Sequence, residues 1–293
     1  MTTLLITGAS GFIGRNLAEQ LRRDYDVTAP SRAELDLGDE EAVRQMFESG
    51  RFDVVLHCAT VRSNRMTGEP ASLFGGNCRM FFNLVRHRAH FGRMLYFGSG
   101  AEYDRRHYLP RMREEYFDTY TPIDGYGLSK YVCAKYCEQL ANVTNLRLFG
   151  VFGKYEAWQV RFISNACCRV IHGLPITIRR DVLFDYLYVD DLAAIVKWFI
   201  EHPASHRAYN VCTGTSVLLS ALAKIVAEVS NRNPEILVRE AGLGTEYSGD
   251  NARMLAEIGG FRFTDLRQSI SELYRWYEVH QAEIDPALLR FDD

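Results

Sequence analysis

The chain has 293 residues, 47% hydrophobic and 24% charged, with a formal net charge of −3. That length suits one large domain or two smaller ones with a sizeable core, and the charge balance offers nothing to attract nucleic acid or an anionic membrane. No apolar run approaches the ~20 residues of a membrane span. The first residues lack a signal peptide's basic flank and small-residue cleavage site, so a cytoplasmic location is expected. Seven cysteines without metal-ligand spacing read as reduced thiols, and no metal site is expected.

Leu4 to Thr7 is a short apolar run that breaks on Gly8, and an amphipathic run follows from Phe12 through Leu17 to Leu21. Strand, glycine-rich turn and helix in that order make a dinucleotide-binding βα unit. Gly8 permits the tight turn, Gly11 lets backbone approach a pyrophosphate, and Gly14 lets helix and strand pack closely. The amides of this turn, those of Ser10, Phe12 and Ile13 included, then face the phosphates, with the helix dipole favouring their charge. The spacing is GxxGxxG rather than GxGxxG, and a purely structural turn would use glycines in the same way.

Tyr25 to Ala29 reads as the second strand. An acid at its end holds the ribose 2′-hydroxyl of NAD, whereas a basic residue accommodates the phosphate of NADP. Here Pro30-Ser31-Arg32 follow, and Glu34, near the nominal spacing, falls in the loop beyond. Arg32, with Ser31 as a phosphate partner and Arg15 after the turn, points to NADPH; a solvated loop charge is the other reading of Arg32. Asp36 and Leu37 come next along the expected cofactor path. A helix is expected from Asp39 to Glu48, with Val43, Met46 and Phe47 inward.

The strand Asp53 to His57 runs into Cys58-Ala59-Thr60, small residues that let a cofactor lie close. His57 belongs to a buried strand and reads as a core histidine. Arg62 to Gly76 is polar and glycine-interrupted, a loop at the carboxyl ends of the strands, where open α/β sheets bind ligands. A helix follows from Asn77, then a strand from Met94 to Phe97 ending in Gly98-Ser99-Gly100-Ala101-Glu102-Tyr103. A helix carries Tyr126 and Lys130, a strand spans Val143 to Phe149, and Gly150 to Ala157 is a loop.

This alternation implies a Rossmann-type, doubly wound parallel sheet with a smaller, mixed α/β C-terminal region. Beyond it come a helix from Arg161 to Ile171, strand-like Ile176 to Ile178 leading on to the stretch from Phe184 to Asp191, a helix from Leu192 to Glu201, and a strand from Ala208 to Val211. Two helices, Leu218 to Val229 and Leu266 to Val279, flank a glycine-containing stretch from Gly242 to Gly249. Residues 1–160, with a returning stretch near 184–213, are expected to bind the dinucleotide. Residues 161–183 and 214–293 are expected to form the substrate region.

Tyr126 and Lys130 are four apart on one helix face. A tyrosine ordinarily titrates near ~10, and each unit of downward shift needs ~1.36 kcal/mol of phenolate stabilisation. A neighbouring ammonium supplies such stabilisation. A hydroxyl such as Ser99 binds the carbonyl or alcohol oxygen beside the tyrosine, and hydride transfer belongs to the cofactor. The pair alone also describes an ordinary helix surface.

The order of glycine turn, strand ending in serine and Tyr-x-x-x-Lys resembles the extended short-chain dehydrogenase/reductase superfamily, also called the NAD-dependent epimerase/dehydratase superfamily. Leu148-Phe149-Gly150-Val151-Phe152-Gly153 and Tyr188-Val189-Asp190-Asp191-Leu192 extend the resemblance over nearly the whole chain. It implies Ser99, Tyr126 and Lys130 as the catalytic triad and Asn77 as a cofactor-pocket neighbour. It also implies a nucleotide-diphosphate sugar substrate bound by the C-terminal part, and a homodimer paired through the helices starting near Asn77 and Tyr126.

Departures from the family pattern narrow the reaction. The 4,6-dehydratases carry Thr-Asp-Glu where Ser99-Gly100-Ala101 stand, and Glu102 is one residue out of register, which on an extended segment points it elsewhere. The stretch from Arg32 to Leu37 looks more like GDP-fucose synthase and its relatives. These use a cysteine where Ala101 stands and a histidine in the region of Tyr155 to Ser164, which contains none. What remains is an NADPH-dependent 4-keto reductase of a 4-keto-6-deoxy sugar. A 4-epimerase with tightly bound NAD and a non-catalytic NADP sensor are the alternatives. Phe184 replaces the arginine common in relatives, leaving Arg161, Arg179, Arg180, Arg253 and Lys154 as candidate phosphate ligands or solvated charges.

Overall fold

Alternation along the first apolar runs decides the layers. In the computed structural model, which describes residues 1–61, 70 and 72–289, the chain opens with β1 (Thr3–Thr7), α1 (Phe12–Leu21), β2 (Asp26–Thr28), α2 (Glu40–Ser49) and β3 (Phe52–His57). It continues through α3 (Leu73–Val85), β4 (Phe91–Ser99), α4 (Gly125–Cys137), β5 (Val143–Leu148) and β6 (Gly150–Phe152). Leu4, Ile6, Val54, Leu56, Leu95 and Phe97 face one side of the sheet and pack with Leu17 and Leu21 of α1. Leu5, Val55, Met94 and Tyr96 face the other, against Val43, Phe47, Phe81, Leu84 and Cys133. Strands buried on both faces need helices on both, which is the doubly wound arrangement.

The second half comprises α5 (Phe162–Ile171), β7 (Ile176–Asp181), β8 (Leu183–Tyr188), α6 (Val189–Glu201) and β9 (Ala208–Val211). It ends with β10 (Ser216–Leu218), α7 (Leu219–Ser230), β11 (Ile236–Leu243), α8 (Ala252–Ile258) and α9 (Leu266–Val279). The main sheet has the order β2-β1-β3-β4-β5-β9 and all its pairings are parallel. Strand order reverses beside β1, so the crevice between the ends of β1 and β3 is the switch point where such sheets bind ligands. β10-β8-β6 and β11-β7 form two small sheets. A separate cluster joins α5, α7 and α9 through Ile163, Cys167, Leu222, Val226, Ile270 and Leu273.

Caps explain several helix starts. Asp39 accepts from the Glu41 and Ala42 amides, Asp124 from Gly127, and Asp265 from Arg267 and Gln268. Several boundaries differ from expectation. The second strand is shorter than Tyr25–Ala29 because only three residues pair with β1. The third helix begins at Leu73, a turn before Asn77, inside a stretch read as loop; the rest of that loop, residues 62–69 and 71, lies outside the described residues. Gly150 to Phe152 is a strand rather than loop, since it pairs with β8. The helix expected from Leu192 starts at Val189, with Asp190 and Asp191 in its first turn, where acids suit the dipole. Three elements gave no sequence signal: β10, the largely exposed β11, and α8, which buries only Met254.

Candidate active site

The glycine turn sits at the switch point. Gly8 has φ +70°, and a Cβ there would come within 2.7 Å of Ala59 Cα at the end of β3. A Cβ on Gly14 would meet the Gly8 carbonyl at 2.3 Å, so close packing of α1 on β1 requires both glycines. Gly11 caps α1 without any side chain, and its own N–H donates to Gly8 O at 2.9 Å. Ser10 beside it is exposed, while Phe12 turns into the core and Ile13 is half-buried. The first turn of α1 is thus left with unshielded amides, a cradle that fits a pyrophosphate.

Around this crevice the cofactor-path residues are placed unevenly. Arg15 lies over the Tyr155 ring at 3.6 Å and pairs with Glu19 at 3.5 Å. Arg32 is 86% exposed and only loosely paired with Asp36, at 3.8 Å. The Ser31 N–H donates to Glu34 at 2.7 Å, so the acid read as a loop residue folds back onto the end of β2. Asp36 accepts from the Gly38 amide, and Leu37 is a core side chain whose carbonyl accepts from Asn83. Asn77 accepts from the Val61 amide at 2.6 Å and from Thr60 at 3.3 Å, and donates to Ser129 at 3.1 Å. It ties the β3 loop to α4.

His57 is buried and shares a 2.9 Å hydrogen bond with Thr7 Oγ1. Burial, helped by the charge of Lys130, lowers its pKa to about 3. It is a neutral core histidine. Burial also pushes the Cys58 thiol well above its ordinary value, and all seven cysteines are free thiols.

Ser99 ends β4, and Tyr126 and Lys130 lie on the first turns of α4. Lys130 is buried, donates from Nζ to the Phe97 carbonyl at 2.8 Å, and lies 4.8 Å from the Tyr96 ring centroid and 6.0 Å from that of Tyr126. Ser99 starts a 3-10 turn, Gly100–Glu102, closed by a capping box. Its Oγ accepts from the Ala101 amide at 3.1 Å, and its own amide donates to Glu102 Oε1 at 3.0 Å.

Glu102 points down into the sheet, fully buried, and is ion-paired with Arg147 and hydrogen-bonded by Asn145. Burial raises its pKa, against the lowering effect of the Arg147 charge. Gly98 makes room for it, because a Cβ there would lie 2.1 Å from both Glu102 Oε1 and Asn145 Oδ1.

One residue in this centre has no sequence signal. Tyr247 lies in the stretch between β11 and α8, and its phenol sits over Gly100, where an added Cβ would come within 2.6 Å of the hydroxyl; burial raises its pKa above the ordinary range. No motif spacing marks it; only the pairing of its backbone with β8 brings it there. The charges of Arg105 and Arg161 also reach this phenol. The other candidate phosphate ligands are engaged elsewhere: Arg179 and Arg180 with Glu240, Arg253 with Glu115, and Lys154 with Glu19.

Residues 4–212 match the model of the NAD dependent epimerase/dehydratase family. A GDP-6-deoxy-D-talose 4-dehydrogenase from Aggregatibacter actinomycetemcomitans is 25% identical, the match covering 93% of this chain and 97% of that protein. The GDP-L-fucose synthetase of Naegleria fowleri bound to NADP superposes with TM-score 0.84 at 18% identity, covering 96% of this chain and 94% of the other. The UDP-glucose 4-epimerase of Thermotoga maritima with UDP-glucose superposes with TM-score 0.83 at 20% identity, covering 95% and 99%. With its switch-point glycine turn and a match that spans residues 4–212, the chain belongs to the NAD-dependent epimerase/dehydratase family, NAD(P)-dependent oxidoreductases and epimerases that act on nucleotide sugars.

Proposed function

We propose that this enzyme reduces the C4 ketone of a nucleotide-diphosphate-linked 4-keto-6-deoxy sugar with NADPH. The observation that carries this reading is the inward turn of Glu102. The only carboxylate in the Ser99–Tyr103 segment is locked beneath β4 by Arg147, and Ala101 offers neither acid nor base. A dehydratase needs a carboxylate at that edge, and a 3,5-epimerase needs groups that remove and return protons at ring carbons. Ser99, Tyr126 and Lys130 are sufficient for a ketone.

The turn amides from Ser10 to Gly14, the backbone of Cys58 to Thr60, and Lys130 would hold the dinucleotide, with Arg32, Ser31 and Arg15 toward its adenosine phosphate. When bound, the nicotinamide supplies the hydride. Tyr126 gives its phenolic proton to the carbonyl oxygen, completing the alcohol, while Ser99 donates a hydrogen bond to the same oxygen. Lys130, anchored on Phe97 O, keeps its charge 6.0 Å from the Tyr126 ring and favours the phenolate left behind. Residues 161–183 and 214–293 form the substrate region, and two copies pair through α3 and α4.

Purified protein should oxidise NADPH with a dehydratase-generated GDP-, dTDP-, CDP- or UDP-linked 4-keto sugar; no turnover with any of them sinks the reading. Arg32→Ala should weaken NADPH more than NADH, and equal weakening would return Arg32 to a solvated loop charge. A second reading, a 4-epimerase keeping NAD, is favoured by the Glu34 carboxylate at Ser31, at the end of β2 where NAD enzymes place an acid. Such an enzyme would copurify with NAD and show no net cofactor turnover.

A further inference from the structure

A carboxylate and a guanidinium each lose several kcal/mol of hydration when buried, and packed apolar side chains often stabilise a fold as well as the ion pair does. Glu102 and Arg147 are nevertheless buried to 0% and 1% exposure. Asn145 and Arg147 stand two apart on β5 and so share one face, and the register sets Arg147 beside Gly98 of β4. Both reach one carboxylate oxygen of Glu102: Asn145 Nδ2 donates to Oε2 at 2.9 Å, and Arg147 Nε is ion-paired with it. The Arg147 guanidinium is itself held 4.1 Å from the Phe117 ring centroid. The other oxygen, Oε1, accepts the backbone N–H of Ser99 at 3.0 Å. Ser99 is the last residue of β4, and its Oγ accepts the Ala101 amide at 3.1 Å, within the turn that Glu102 ends.

We propose that Glu102 is a positioning residue of the active site, whose clamped carboxylate fixes Ser99 where its hydroxyl meets the substrate carbonyl oxygen. This role rests on the ketone-reducing reading. The β4–β5 pairing stops at Ser99 and Leu148, so beyond the serine the sheet no longer holds the chain. The carboxylate ties the last residue of β4 back to β5 through side chains instead. Fully buried, Glu102 meets no ligand and acts only through the serine. Displacing a catalytic group by ~1 Å can cost about 10²-fold in rate, so a rigid tether here has a kinetic value that an apolar filling lacks.

Glu102→Leu combined with Arg147→Met fills the same space and removes the acceptor. kcat should fall at least about tenfold, the scale of one hydrogen bond, with KM for NADPH unchanged and thermal stability near wild type. Glu102→Gln combined with Arg147→Gln restores a side-chain oxygen for the Ser99 amide and should recover most of the lost kcat. In a Ser99→Ala background both pairs should turn over alike. Full activity of the apolar pair, no recovery by the glutamine pair, or an equal loss in the Ser99→Ala background would overturn the proposal, because the carboxylate would then be idle or acting without the serine. NMR of wild-type protein with isotope-labelled serine reads the bond without any ligand. The Ser99 amide proton, assigned by its loss in Ser99→Ala, should lie well downfield, as a charge-assisted hydrogen bond to a carboxylate requires. A signal in the ordinary amide range overturns the proposal, whether or not either pair folds. If the wild-type enzyme reduces no ketone, the proposed reaction fails, and the amide signal decides for Glu102 by itself.

Discussion

Tyr126 carries the proton in the proposed reaction, and Tyr126→Phe removes it while leaving the ring in place. Activity should fall by at least the ~10²–10⁴ typical of general acid catalysis; unchanged turnover would refute the role. His57 offers a different test, of folding. Its pKa lies at about 3 in the folded chain, against 6.5 as the ordinary value. Between those values the unfolded chain binds more protons at this residue, so stability is fully present above the ordinary value and is lost as pH falls toward the folded one. His57→Gln should flatten the acid limb, lowering the slope of unfolding free energy against pH by about one proton. Equal slopes from denaturant titrations would show that His57 is charged in the fold. The histidine was legible as a core residue because it ends an apolar strand. Its Thr7 partner was not, since 50 residues separate the two.

Among the elements, the end of β4 is the most demanding. Gly98 admits a buried carboxylate and amide at 2.1 Å from where a Cβ would stand, both on neighbours that are themselves buried and paired. Gly173 ends α5 with φ +69° and nothing within 4 Å. Gly173→Ala should therefore cost only the ~1–2 kcal/mol of a left-handed alanine. Gly98→Ala should cost several kcal/mol, since neither Glu102 nor Asn145 has room to retreat. Denaturant midpoints that fall equally would refute the distinction. β4, β5 and the glycine turn were visible as apolar runs broken by glycine. The buried Arg147 in β5 contradicts that simple pattern, and only its pairing with Glu102 makes it tolerable. β11 and α8 stayed hidden because one is a largely exposed edge strand and the other is too short to show a period.

At the scale of the whole molecule, the sheet presents the glycine turn, Ser99 and α4 at one end, while backbone pairing with β8 brings Tyr247 over Gly100. Among the described residues, no helix is long and apolar enough to cross a membrane. The proposed dimer rests on α3 and α4. Phe74 and Tyr136, on those helices, remain 40% and 38% exposed, and the Tyr136 ring packs edge-on against Phe82. Tyr136→Glu should dissociate the dimer, as read by sedimentation at micromolar protein. A wild-type chain that sediments as a monomer would refute the pairing.

The sequence by itself determined the layers of the first half and the order of the motifs along it. Apolar periodicity and glycine punctuation act locally, and the order of turn, serine strand and Tyr-x-x-x-Lys survives any choice of boundaries. Tertiary structure alone decided which polar side chains are spent on the framework and which face the crevice. Glu102 and His57 show why: each meets its partner, Arg147 or Thr7, through a strand pairing distant in the chain, and no local pattern encodes such a meeting.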